Sequence, residues 1–83
     1  MSEIIRPTGI RELSHIVKTD NGGYFYVDSN NTYDCGFETM VFMYDEKKHK
    51  VADWGELYVE HYDTYENMKN THYVICNRLE MFI

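Results

Sequence analysis

Residues 38–62 constrain the fold more than any other stretch, because they hold two strand-like runs joined by a charged segment. The first run extends from Glu38 to Tyr44 and the second from Glu56 to Tyr62. Both are rich in the aromatic and β-branched side chains that are enriched in strands. The sequence therefore predicts an antiparallel hairpin that the rest of the chain covers.

The residues before this hairpin contain one strong turn signal, Asp20-Asn21-Gly22-Gly23. The aromatic run from Tyr24 to Asp28 follows it and predicts a strand. Residues 10–17 could form a short helix, but a strand over residues 14–19 fits the turn better. We expect residues 1–9 to be a loose N-terminal lead and residues 28–36 to be a polar loop.

The hydrophobic period changes after Tyr62. Either Asp63 or Thr64 can cap a helix, and Glu66 in the first turn favours the helix dipole. Apolar residues then recur at spacings of three and four, which predicts an amphipathic helix over residues 64–80. Its apolar stripe consists of Tyr65, Met68, His72, Ile75, Leu79 and Phe82.

A chain of 83 residues predicts a single domain. The predicted fold is α+β, with an antiparallel meander sheet of three to four strands over residues 14–62. One C-terminal amphipathic helix packs on one face of this sheet.

The charge distribution disfavours two classes of partner. The net charge is −6, and residues 28–66 contain ten acidic side chains against three lysines. Direct binding to nucleic acid or to an anionic membrane needs a basic surface. With two cysteines and no signal or transmembrane segment, the sequence predicts a cytoplasmic protein with reduced thiols. A basic protein partner remains compatible with this charge.

The residues that could carry chemistry do not form a known motif. His72 and Cys76 have the i, i+4 spacing that can chelate zinc, and Cys35 and His61 could add ligands. However, His72 lies on the apolar stripe, so we expect a core histidine hydrogen-bonded to the backbone or to a tyrosine hydroxyl. Cys35 would need a histidine beside it to act as a nucleophile. The prediction is no enzyme, no metal and no cofactor.

Strand alternation predicts an aliphatic face and a tyrosine-rich face. Val41, Leu57 and Val59 are assigned to the aliphatic face under the helix. We predict that the other face binds a partner, because exposed Tyr and Trp make rigid anchors. Alternatively, residues 4–17 cover it, it closes a homodimer, or Trp54 merely plugs one end of the sheet. The predicted partner-binding residues are Tyr24, Tyr26, Tyr44, Trp54, Glu56, Tyr58 and Glu60.

The central stretch also resembles a known group of proteins. The residues that carry the resemblance are Cys35-Gly36-Phe37-Glu38-Thr39-Met40-Val41-Phe42, Asp53-Trp54, Glu56-Leu57, Tyr62, Thr64 and His72. This pattern resembles small uncharacterised proteins encoded in phages and prophages of Gram-positive bacteria. It covers about residues 35–72 and leaves the first 34 unmatched. Asn67 and Asn70 depart from the small or acidic residues expected in the helix.

The resemblance implies a phage accessory protein in the cytoplasm of a bacterial host. Such a protein would bind and inhibit a host or defence protein, of the anti-CRISPR or anti-restriction type. The first alternative is an oligomeric sponge for a signalling nucleotide, and the second is a structural or morphogenesis subunit. The sequence leaves open the identity of the partner and the oligomeric state. The basic side chains that could contact the phosphates of a nucleotide are Arg11, Lys47, Lys48, Lys50 and Arg78.

Overall fold

The computed structural model describes all 83 residues, which form one antiparallel sheet and one α-helix. The α+β class, the meander and the C-terminal helix are as predicted, but the sheet has five strands in the order β1-β2-β3-β4-β5. The strands are β1 (Glu3–Pro7), β2 (Leu13–Lys18), β3 (Tyr24–Thr32), β4 (Gly36–Asp45) and β5 (Lys50–Tyr62).

The extra strand is β1, so the expectation of a loose N-terminal lead is wrong. Ile4 lies opposite Val17 of β2 and packs against the core. The hydroxyl of Ser2 donates to the carbonyl of Cys76 at 2.7 Å and accepts from the amide of Leu79 at 2.8 Å. Pro7 ends this edge strand, where its missing N–H is tolerated. The N-terminus is therefore tied to the end of the helix.

The other turns and strands differ from expectation mainly in length. Residues 14–18 form part of β2, as favoured, and Gly22 takes a φ of 89° in the turn before β3. That positive φ is open to glycine at little cost. The predicted polar loop over residues 28–36 is shorter, because β3 extends to Thr32 and β4 starts at Gly36.

Helix α1 spans Tyr65–Asn77 and is followed by a 3₁₀ turn over Leu79–Met81. Thr64 is the N-cap, and its hydroxyl accepts from the amide of Asn67 at 3.1 Å. The helix ends three residues before the predicted boundary, because Arg78 leaves the helical conformation with a φ of −135°. This helix is too short to cross a bilayer.

The helix packs on one face of the sheet, here called the helix face. Met68, His72, Ile75 and Leu79 of the predicted stripe are buried there, whereas Tyr65 remains partly exposed. The main core cluster joins strand and helix side chains, namely Val17, Val27, Val41, Ile75, Cys76 and Leu79.

An irregularity in β5 reverses the predicted faces of that strand. Val41 and Met43 are two positions apart in β4, but their partners Tyr58 and Asp53 are five positions apart in β5. The extra residues form a bulge, and an odd number of inserted residues inverts the alternation beyond it. The predicted placement of Leu57 and Val59 beside Val41 is therefore wrong. The bulge sends Tyr58 to the helix face.

Candidate functional site

The sheet face opposite the helix, here called the open face, has a small apolar cluster of its own. Ile16, Tyr26 and Phe42 lie side by side on β2, β3 and β4 and are buried. Tyr24, Met40, Tyr44 and Val51 pack around them. No helix covers this cluster.

Trp54 lies over the centre of the open face. Its ring meets that of Phe42 edge-on at 5.1 Å and that of Tyr26 at 6.5 Å. The residue is nevertheless 68% exposed. Trp54 thus has one side held by two buried rings and most of its surface available for contact. It does not plug an end of the sheet.

A cleft of about 370 Å³ lies on one side of Trp54 and is here called the Arg6 cleft. Arg6, His49 and Lys50 line it together with aromatic rings. The guanidinium of Arg6 donates to both carboxylate oxygens of Glu46, at 3.0 and 2.7 Å. This pairing raises the pKa of Arg6 and lowers that of Glu46. The charge of Arg6 is therefore largely balanced within the chain.

A second cleft of about 240 Å³ lies on the other side of Trp54 and is here called the Asp28 cleft. Its polar lining includes Asp28, Glu38 and Arg11. Oδ1 of Asp28 is buried and accepts no hydrogen bond, while Oδ2 lies 3.6 Å from Arg11. Glu38 is also buried and lies 3.1 Å from Nε2 of His61.

Burial raises the pKa of Asp28, and the charge of Arg11 and the hydroxyl of the neighbouring Ser14 oppose the rise. A buried carboxylate that lacks part of its hydrogen bonding is unfavourable unless a donor or a cation reaches it. The ion pair of Asp28 with Arg11, at 3.6 Å, is looser than the bidentate pair of Arg6 with Glu46, so the Asp28 cleft is the better suited to a cationic or hydrogen-bond-donating group.

Four of the seven predicted binding residues lie on the open face. Tyr26 and Trp54 are central, and Tyr24 and Tyr44 flank them. Glu56 is exposed in the bulged part of β5 and lines neither cleft.

Tyr58 and Glu60 belong to the helix face, so their assignment to the tyrosine-rich surface is wrong. The ring of Tyr58 packs edge-on against Phe82 at 5.2 Å. Its hydroxyl donates to Glu60, and burial together with this carboxylate raises the pKa of Tyr58 to about 12. The bulge in β5 is the physical reason, since it turns the even-numbered residues beyond it toward the helix.

Sequence reasoning missed Asp28 and Glu38 as members of the site. Both have the same parity as Tyr26 and Phe42 on β3 and β4, which are paired without interruption. Strand alternation could therefore have found them. The orphan oxygen of Asp28 could not have been found, since it depends on packing.

A chain of hydrogen bonds crosses the helix face. Nε2 of His72 lies 2.8 Å from Nδ1 of His15, and Nδ1 of His72 lies 2.6 Å from the hydroxyl of Ser29. Ser29 contacts Thr39 at 2.5 Å, and the hydroxyl of Tyr62 donates to Thr39 at 3.1 Å. His72 is thus a core histidine, as expected, but its partners are His15 and Ser29. The chain also links three residues of the sequence pattern, Thr39, Tyr62 and His72.

Burial favours the neutral forms of the titratable groups around His72. Burial, with a smaller effect from His15, lowers the pKa of His72 to about 4. Burial raises the pKa of the Cys76 thiol to about 12. Because Ser29 and Cys76 are buried, neither is an accessible nucleophile.

Cys35 is the exposed cysteine, in the turn between β3 and β4. Donor atoms of Cys35, Glu38 and His61 lie within 4.8 Å of one another. A histidine does lie near this thiol, although the structure gives it no hydrogen bond to Cys35.

A scan against protein-family models, a search of curated proteins and a search of solved structures returned no match to this chain. Function therefore has to be inferred from the geometry of the open face.

Proposed function

We propose that this protein is a non-enzymatic binding protein that docks a basic segment of a partner protein on its open face. Trp54 is the anchor, and an Arg or Lys side chain of the partner enters the Asp28 cleft. The observation that carries the proposal is the Asp28 carboxylate, which lines a cleft with only a 3.6 Å ion pair to Arg11, next to a tryptophan that is 68% exposed.

The two elements of this surface have different roles in binding. Trp is enriched among the residues that contribute most to protein interfaces, and Trp54 is already held rigidly by Tyr26 and Phe42. A carboxylate–guanidinium or carboxylate–ammonium hydrogen bond in a cleft is stronger than a neutral one. Trp54 would supply affinity, and Asp28 with Glu38 would select a basic side chain.

The resemblance to phage and prophage proteins supports the biological setting. We propose that the partner is a host or defence protein in the bacterial cytoplasm, and that binding inhibits it. A protein with a basic, nucleic-acid-binding groove fits the net charge of −6. Its attraction to this chain would weaken as salt rises.

Affinity capture from bacterial lysate, with variants of the open face, tests the proposal. The wild type should retain a protein that high salt releases, Trp54→Ala should lose most of it, and Asp28→Asn should retain clearly less than the wild type. Val74→Ala and Glu66→Gln, both on the exposed side of α1, are matched controls that should capture normally. Equal capture by Trp54→Ala and the wild type would rule out the open face as the site.

Light-scattering mass should be measured on the same samples. A monomer that captures a partner fits the proposal. A stable dimer that Trp54→Ala converts to a monomer would instead identify the open face as a self-interface.

A second candidate function, binding of a small anionic ligand, is favoured by the Arg6 cleft. This cleft brings Tyr26, Tyr44 and Trp54 together with Lys50 and His49. The aromatic rings can stack on a nucleobase while the side chains of Lys50 and His49 face a phosphate. Titration of nucleotides against Trp54 fluorescence should then show saturable quenching that Lys50→Ala weakens, and unsaturable quenching would contradict this candidate.

A further inference from the structure

Three donor side chains converge beneath the helix, away from the open face. His15 comes from β2, and His72 and Cys76 come from α1 at the i, i+4 spacing. Nε2 of His72 lies 2.8 Å from Nδ1 of His15 and 3.6 Å from Sγ of Cys76, and all three atoms lie within 4.8 Å of one another. All three residues are buried.

Hydrogen bonds among these three side chains cannot satisfy all of their donor and acceptor atoms. A neutral imidazole nitrogen carries either one proton or one lone pair. Nε2 of His72 can therefore make one strong hydrogen bond, yet both His15 and Cys76 face it. A cation between the three groups would engage two nitrogen lone pairs and one thiolate at once.

An outer hydrogen bond orients His72 for this role. Metal-binding histidines usually donate their second ring N–H to an oxygen, which fixes the tautomer. The hydroxyl of Ser29 lies 2.6 Å from Nδ1 of His72 and is itself 2.5 Å from Thr39. A proton on Nδ1, donated to Ser29, leaves the lone pair of Nε2 directed at His15 and Cys76.

The distances fit a small thiolate-binding ion. Tetrahedral Zn²⁺, with Zn–N of about 2.0–2.1 Å and Zn–S of about 2.3 Å, places its ligand atoms roughly 3.3–3.6 Å apart. The Cys76–His72 distance of 3.6 Å already agrees, and the His15–His72 distance of 2.8 Å requires His15 to move by roughly half an ångström.

We propose that His15, His72 and Cys76 supply three ligands of a buried Zn²⁺ site. Two imidazoles and one thiolate suit Zn²⁺ and do not suit the oxygen-seeking Mg²⁺ or Ca²⁺. Binding releases the thiol proton, because a coordinated thiol is deprotonated. The site links β2 to α1, so bound zinc stabilises the fold. It is independent of the function proposed for the open face.

Cys35, Glu38 and His61 form the competing group of donors. Cys35 and His61 are exposed, whereas the proposed ligands are buried. Since each group contains one of the two cysteines, a thiolate signal can be assigned to one of them by substitution.

The test is a titration of the reduced, chelator-treated protein with Co²⁺, followed by displacement with Zn²⁺. One equivalent of Co²⁺ should produce a thiolate-to-metal charge-transfer band that Zn²⁺ abolishes. Saturating Zn²⁺ should raise the Tm by at least about 4 °C, because the ion binds only the folded state.

Substitutions then separate the two groups of donors. Cys35→Ser should keep the band, and Cys76→Ser should lose it. His15→Gln should weaken Zn²⁺ binding by at least about 100-fold, and Ser29→Ala, which removes the outer hydrogen bond, by about 10- to 100-fold. If Cys76→Ser does not fold, the Zn²⁺ affinity of His15→Gln tests the site instead. This variant should fold, since His15 lies at the edge of the core and is 8% exposed.

Three results would overturn the proposal. The first is a folded wild type that gives no charge-transfer band with Co²⁺. The second is a band that Cys35→Ser removes, which would place the ion at the exposed group. The third is wild-type Zn²⁺ affinity in His15→Gln.

Discussion

The two faces of the sheet differ in how fully their buried polar groups are hydrogen-bonded within the chain. On the helix face, His72, Ser29, Thr39 and Tyr62 are joined by hydrogen bonds. On the open face, Asp28 keeps a buried oxygen without a partner beside a largely exposed tryptophan. Buried polar groups are normally satisfied within the chain. The helix face is therefore organised for stability, and the open face keeps unmet bonding capacity of the kind that a partner can satisfy.

The largest difference between the faces should appear when an apolar side chain is truncated. Ile75 is fully buried on the helix face, so Ile75→Ala should lower the free energy of unfolding by about 2–5 kcal/mol. The adjacent Val74 is 49% exposed, and Val74→Ala should change it by less than about 0.5 kcal/mol. Urea denaturation measures both, and similar losses would contradict the packing described for α1.

The helix face should also be sensitive to acid in metal-free protein. The folded pKa of His72, about 4, lies below the ordinary value of 6.5. The stability that the neutral form of His72 contributes is thus complete above pH 6.5 and is lost as pH falls through 4. At about 1.4 kcal/mol per pKa unit, the loss is on the order of 3 kcal/mol.

Other groups contact His72, directly or through Thr39, so the measurement has to separate the titration of His72 from theirs. They are His15 from β2, Ser29 from β3, Thr39 from β4, Tyr62 from β5 through Thr39, and Cys76 and Tyr73 from α1. His15 is the other histidine among them, and burial lowers its pKa too. His72→Gln should flatten the pH dependence of the urea midpoint between pH 6.5 and 4, whereas His61→Gln should leave it steep. If the urea midpoint of His72→Gln depended on pH as steeply as that of the wild type, His72 would not be the source of the acid sensitivity.

Trp54 should matter for binding far more than for folding. Trp54→Ala should weaken partner binding by at least about 2 kcal/mol, or roughly 30-fold, as truncation of an interface anchor does. Because most of the side chain is exposed, the free energy of unfolding should fall by only about 1 kcal/mol. Calorimetric titration and urea denaturation of one preparation give both values. A large loss of stability without loss of affinity would make Trp54 a structural residue.

Asp28 should show the smallest effect, and binding and stability should change in opposite directions. Asp28→Asn removes a charge that burial disfavours, so the fold should become more stable by up to about 1 kcal/mol. Affinity for the partner should fall about 10-fold, and its salt dependence should become shallower. Glu66→Gln, on the exposed side of α1, should leave the affinity unchanged and alter the free energy of unfolding by less than about 0.5 kcal/mol. Unchanged affinity in Asp28→Asn would leave the cleft without a role.

Sequence reasoning succeeded where a regular period extended over many residues. The spacing of Met68, His72, Ile75 and Leu79 located the buried side of the helix. Alternation located Tyr26 and Tyr44 on one face, because β3 and β4 pair without a bulge. The strand β1 was missed because Pro7 and Gly9 suggested a loose segment, although tertiary contacts of Ser2 and Ile4 hold it in place.

The candidate site was less predictable because it depends on two register shifts between β4 and β5. The bulge in β5 moved Tyr58 and Glu60 out of the predicted surface and placed Trp54 over Phe42. Gly55 lies in the inserted stretch, and its amide donates to Oδ1 of Asp53 at 2.8 Å. A glycine inside a strand often marks a bulge, so this residue was the signal that sequence reasoning missed. The pairing of His15 with His72, 57 positions apart, by contrast follows from the complete fold.

Fluorine NMR of the protein labelled with fluorotryptophan tests the central claim, that the open face is the binding surface, most directly. The chain has one tryptophan, so its single resonance reports on Trp54 alone. Addition of the purified partner captured from lysate should shift or broaden that resonance to saturation at one equivalent. At protein concentrations below the Kd, the midpoint of the titration should lie at about 10-fold more partner for Asp28→Asn than for the wild type. A resonance that stays unchanged while calorimetry shows the complex forming would place the binding surface elsewhere on the molecule.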